Sequence, residues 1–209
     1  MNDTISIQEL LNKLLPFFAG QGYEFKPWLH QFRQNFEGGF RNVILGFSEY
    51  EDVTVLECTF GVRIHLVEDT IMPYSNGING YKEESNTCVT NLAKFKNRKH
   101  YRLQYANESQ GEACTRELQN FFLSEGFSFL RQLSHLHFLE AYYNEAPLEP
   151  NLLSFSHRMR SFRGIVLAAL VQNPHWNELR EHYRQAMRRQ GTPQIIQTRF
   201  EELCRKLQV

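Results

Sequence analysis

The densest chemistry in the chain is the run Lys94-Phe95-Lys96-Asn97-Arg98-Lys99-His100-Tyr101-Arg102, five positive charges with no acid among them. As an extended strand it sets Lys96, Arg98, His100 and Arg102 on one face at roughly 6.6 Å intervals, twice the strand rise. Such a row tracks phosphates, and Phe95, Tyr101 and Tyr105 beside it are stacking platforms for unpaired bases. The same row also suits the solvent face of an edge strand, where Lys and Arg discourage stray pairing and the aromatics turn inward.

A second basic group, His157-Arg158-Met159-Arg160-Ser161-Phe162-Arg163, falls in a helical pattern. Arg160 and Arg163 share a face there, either as an ordinary amphipathic flank or as a site for an acidic partner surface. His175, Glu178 and His182 fall within roughly 60° of one another on a helix and offer three ligand-type side chains. His135 and His137, two apart on a helix, point in different directions and make no site by themselves. No metal site is assigned: zinc takes closer spacing, and the solvated flank is the simpler account of His175, Glu178 and His182.

Glu57, Arg63 and His65 alternate along a strand pattern and so share a sheet face, a possible acid-base surface if a cleft forms over it. An enzyme of this kind needs at least two of His30, His65, His100, Glu57 and Arg63 in one concave site. Nothing else in the chain has catalytic form. There is no GxSxG, P-loop, GxGxxG or kinase-like set, and Gly38-Gly39 lies between two strands, serving a hairpin rather than a phosphate. Cys58, Cys88, Cys114 and Cys204 show no CxxC and no close His, so they read as reduced, buried thiols rather than a disulfide framework or a zinc site.

The elements that must position these residues follow from composition and period. The chain has 209 residues, 42% hydrophobic and 22% charged, with 23 Lys+Arg against 23 Asp+Glu. This is ordinary globular usage, and the balanced charge argues against a general polyanion binder. The 17 Phe and 9 Tyr predict a ring-rich core. The start lacks a signal-peptide pattern, and no apolar run is long enough to span a membrane. The expected location is cytoplasmic.

Ser6-Ile7-Gln8-Glu9 is a capping box opening a helix with Leu10, Leu11, Leu14 and Phe18 on its apolar stripe, and Pro16 is expected to kink or end it. Period-two patterns then predict strands over 28–36, 40–47, from Val55 to about Leu66, and 98–105, with a turn-rich loop from Met72 to Tyr81. From Gln110 the period is helical throughout. Gly126 is expected to separate the first two of about five helices, and the last three run to Leu170, Met187 and Leu207. Segregated strands and helices imply α+β: an N-terminal helix and antiparallel meander over 1–107, then a helical half over 108–209 that is either separate or shares one core.

With no catalytic signature and a neutral charge, the chain reads as a non-enzymatic binding or protein-interaction module with a protein partner. Its contact surface is expected in a groove between sheet and helices, edged by the 72–81 loop and marked by Tyr74, Tyr81, Arg63 and His65. The alternatives are single-stranded nucleic-acid binding through Lys96, Arg98, His100 and Arg102, and an enzyme whose His/carboxylate site is assembled only in the fold. No cofactor is implied, and no membrane association.

Overall fold

A computed structural model of the protein describes residues 6–75, 84–98, 101–154 and 156–208. It is α+β, a sheet and its covering helices followed by a run of helices. Helix α1 (Ile7–Ala19) starts on the capping box: Ser6 Oγ accepts from the Glu9 backbone N–H at 3.2 Å and Glu9 Oε2 from that of Ser6 at 2.8 Å. Pro16 lies inside α1 without ending it, because burial of Phe18 in the core and a Gly20 N–H bond back to the Pro16 carbonyl hold the last turn.

The strands are β1 (Glu24–Lys26), β2 (Gln31–Phe36), β3 (Gly39–Glu49), β4 (Thr54–Ile64), β5 (Cys88–Asn91) and β6 (Leu103–Tyr105). They run in the order β1-β2-β3-β4-β5 with β6 also on β4, and the β1·β2, β2·β3 and β4·β6 pairings are antiparallel. The β2–β3 hairpin pairs Phe36 with Gly39, and Gly38 turns it at φ 87°, a conformation strained for any residue with a Cβ.

The chain folds into two compact units, each made of two stretches of sequence: residues 1–61 with 90–131, and residues 62–89 with 132–209. The 107/108 boundary expected from sequence falls inside the first unit, because α4 (Glu108–Phe121) packs on β6 and on α1. The first unit closes around rings: Phe18 stacks on Phe32 at 4.2 Å, and Phe60 meets Phe121 and Phe122 at 5.4 and 5.8 Å. Gly126 does not separate two helices. It sits in a π-turn (Phe122–Gly126) joining α4 to α5 (Phe127–Leu133), where a Cβ would meet the Phe122 ring at 2.6 Å.

In the second unit, β4 ends at Ile64 and α2 (His65–Ile71) begins at once, although the alternating pattern reads on to Leu66. Helical spacing wins there because it buries Val67, Glu68 and Ile71 and leaves Leu66 outside. After a break at Ser134-His135 come α6 (Leu136–Asn144), α7 (His157–Leu170), α8 (Trp176–Arg189) and α9 (Gln194–Leu207). Helix α7 is the hub: α2, α6, α8 and α9 all pack on it, with the Phe162 and Phe200 rings edge-on at 5.5 Å. No helix among the described residues is long and apolar enough to cross a membrane.

Candidate binding cleft

The built site lies in the second unit, beside α6. Helical spacing puts Phe138, Ala141, Tyr142 and Glu145 along one side of α6, while Leu139, Glu140, Tyr143 and Asn144 turn inward and are buried. The outward side borders a cleft of about 560 Å³, completed by Asn144, Asn173, His175 and Leu179 and reaching Glu140 at its floor. Phe138 and Tyr142 form a tilted ring pair, 6.1 Å between centroids.

Glu140 is 7% exposed. Its Oε1 accepts two amide N–H bonds, from Asn144 Nδ2 at 2.9 Å and Asn173 Nδ2 at 2.6 Å. Asn144 is itself fixed, donating to the Gly164 carbonyl at 3.0 Å and accepting from the Tyr183 hydroxyl at 2.5 Å. That approach requires glycine on α7: a Cβ at position 164 would stand 2.1 Å from the Tyr183 oxygen. Asn173 reaches Glu140 from the α7–α8 turn, where Gln172 takes the left-handed conformation at φ 54°. Its Oδ1 is occupied by the His175 backbone N–H at 2.8 Å.

Among the described residues no cation pairs with Glu140. The contrast with its neighbours is sharp: Glu68 meets Arg163 through two bonds of 2.8 and 3.0 Å, and Glu201 receives Arg180 and Arg184. A buried carboxylate normally has a counter-charge or enough donors to replace its hydration. Glu140 has two amide donors on one oxygen, and its second oxygen has no partner among the described residues. The surrounding phenols register these charges. Burial raises Tyr142 above its ordinary pKa and the Glu145 charge adds to it; burial also raises Tyr183, against the nearby Arg160 charge and hydrogen bond and with a smaller addition from Glu140.

The basic run is not the extended row that its alternation predicts. Asn91 caps a short helix, α3 (Leu92–Phe95), by accepting from the Lys94 N–H at 2.8 Å, and Lys96 and Asn97 turn after it. Lys96 lies 4.0 Å from the Glu117 carboxylate and 5.1 Å from the Tyr101 ring, so it is engaged inside the first unit. Tyr101 donates to Glu117; burial, then this bond and the Glu117 charge, raise its pKa. Arg98 also covers the Tyr101 ring, at 5.9 Å, and Tyr105 is fully buried. Arg102 is exposed beside a cleft of about 210 Å³ that Glu57 and Tyr101 also line, and His100 lies outside the described residues.

The two arginines that share a face in the His157 to Arg163 group are engaged inside the second unit. Arg160 is buried and donates to the carbonyls of Tyr143, Ala146 and Glu149, tying down the end of α6 and the loop after it, and Arg163 is paired with Glu68. Arg63 and His65 do come together, the guanidinium donating to His65 Nδ1 at 3.2 Å, to the Ser85 carbonyl at 2.9 Å and to Asp69 at 3.2 Å. They do not share an open sheet face, since β4 is covered on both sides at Arg63 and His65 belongs to α2. Tyr74 ends a short 3₁₀ turn and is half-buried; Tyr81 lies outside the described residues. His30 is exposed at φ 44° with its ring edge-on to Phe47. His175 bonds only Glu178 among the trio with His182, and no three His, Cys, Asp or Glu among the described residues form a metal-holding group.

The cleft was not singled out from sequence. Its one signal is Glu140 flanked by Leu139 and Tyr143, an acid on the inward side of an apolar stripe. No family model matches this chain, and no curated protein and no solved structure is significantly similar to it.

Proposed function

We propose that the protein is a non-enzymatic protein-interaction module whose docking site is the cleft beside α6, where a positively charged group of the partner meets Glu140. The observation that carries it is a buried carboxylate lining an open cleft and paired with no cation among the described residues. A volume of about 560 Å³ falls in the ordinary range for ligand sites, and a ring pair with a few convergent polar groups is their usual lining. Glu145 adds a second negative charge at the mouth.

Catalysis has less support. The four thiols are buried, and burial pushes those of Cys88 and Cys204 up to about 12, far from a nucleophile's range. The test is photo-crosslinking from a position on the outward side of α6, Ala141, in wild-type and Glu140→Gln chains in native extract. One partner crosslinked by the wild type and lost in the variant is the expected result. Equal crosslinking of the same partner by both overturns the assignment of Glu140.

A further inference from the structure

Resting on the reading of this cleft as a docking site, we infer that the group it accepts is a primary ammonium, the side chain of an exposed lysine on the partner, rather than an arginine guanidinium. The discrimination comes from which lone pairs remain. Each carboxylate oxygen accepts two hydrogen bonds, and Glu140 Oε1 already takes two, from Asn144 and Asn173. Only Oε2 is open to a newcomer.

A guanidinium gains its advantage by forking two parallel N–H groups onto both oxygens of one carboxylate. Here the fork finds one oxygen occupied, so its second N–H has no carboxylate oxygen to meet. An ammonium is a compact point charge with three separately directed donors. It uses Oε2 alone, and Glu145, which also lines the cleft, supplies a second acceptor. The Asn144 and Asn173 side-chain oxygens each already accept one bond, from the Tyr183 hydroxyl and from the His175 backbone, so the charged Oε2 is the stronger acceptor for a cation.

The rest of the cleft suits the stem. Phe138 and Tyr142 are four residues apart on α6 and offer ring faces to a four-carbon chain, with Leu179 lining the same cleft from α8. A cation held close to these rings gains from their faces as well. Acetylation of the partner's lysine removes both the charge and two of its three donors, so docking is expected to be lost on that modification.

The experiment titrates the full-length, isotope-labelled chain by NMR with three small probes: Nα-acetyl-lysine methylamide, the matching arginine compound, and the Nε-acetylated lysine compound. The lysine probe is expected to shift the amides of α6 and of the α7–α8 turn, and to bind at least about fivefold more tightly than the arginine probe, the advantage of a fork being unavailable. The Nε-acetylated probe is expected to leave these amides unmoved. Glu140→Gln keeps an acceptor for both asparagine amides and is expected to weaken the lysine probe about tenfold or more, as for loss of a charge-assisted bond. Glu145→Gln, an exposed position outside the core, is expected to weaken it by about threefold, the scale of a rim charge.

An arginine probe that binds these amides as tightly as lysine, and through Glu140, overturns the lysine assignment and leaves the docking site standing. Absence of any shift at α6 with either cationic probe overturns both. Lysine binding unchanged in both variants overturns the role of the two acids.

Discussion

Removing the Arg163 guanidinium is expected to be among the most damaging single changes in the second unit. Arg163 on α7 and Glu68 on α2 are joined by two bonds, Nε to Oε1 at 2.8 Å and Nη2 to Oε2 at 3.0 Å. Glu68 is 5% exposed and has no other partner among the described residues. Burial alone lowers the Arg163 pKa, but the Glu68 charge and hydrogen bonds more than restore it, so the arginine stays charged. Arg163→Met fills much of the volume and leaves the Glu68 carboxylate buried and unpaired, a loss of about 3–5 kcal/mol. At a urea slope of ~2 kcal/mol per molar, the unfolding midpoint falls by about 1.5–2.5 M. Trp176, which donates from Nε1 to the Ile165 carbonyl at 3.3 Å, reports on this unit by fluorescence in a Trp28→Phe background. Replacing both partners, Glu68→Leu with Arg163→Met, removes the orphaned charge and is expected to recover most of the loss. A single variant that loses less than about 1 kcal/mol, or a double variant no more stable than the single, refutes the attribution to a buried pair.

Further outcomes follow from the same unit and its thiols. Gly164→Ala, a change that stabilises most helix interiors by about 0.5–1 kcal/mol, is expected to cost about 1–3 kcal/mol here because its Cβ meets the Tyr183 oxygen; a raised melting temperature would sink this account. Glu201 is held down to about 2, chiefly by hydrogen bonds from Arg184, against burial and with help from Arg180. Its folded pKa is depressed, so the stability it confers over Glu201→Gln is complete above about pH 4.5 and disappears as pH falls through about 2; a gap in urea midpoint that stays constant over that window contradicts the assignment. All four cysteines are buried, with burial raising each thiol, so a disulfide-exchange reagent at mildly alkaline pH is expected to label them only at the rate of unfolding; fast labelling of the folded chain by any one refutes this.

The α+β class and most long elements were legible because single-period patterns produced them. The capping box at Ser6 and Glu9, the Gly38 hairpin and helices α7 to α9 lie close to where spacing puts them. Misreadings arose where two patterns overlap. Alternation from Val55 runs through His65-Leu66, yet burial of Val67, Glu68 and Ile71 selects a helix. The charges of Lys94 to Arg102 alternate over a segment that Asn91 caps into a helical turn. The compact units do not follow a 107/108 division because the chain enters the second unit within β4 and returns within β5, and such an excursion leaves no mark in local composition.

The candidate site was the least legible feature because it depends on what a residue lacks. Glu68, Glu140 and Glu201 are the same side chain in helical sequence, and only the fold shows that two have arginines and one has amides alone. That difference yields a test separating a structural from a binding role for Glu140. A carboxylate kept for stability would be costly to neutralise, as Glu68 is expected to be once unpaired. One kept for a partner adds little to the free protein, and Glu140→Gln gains from no longer burying a charge while a neutral acceptor still serves both asparagines. Weaker bonds to the two amides offset the gain, so the variant is expected to match wild-type stability within about 1 kcal/mol while losing the lysine probe. The measurement is the urea midpoint read beside the NMR titration on one preparation. A loss above about 2 kcal/mol would make Glu140 a structural residue and remove the basis for the docking site.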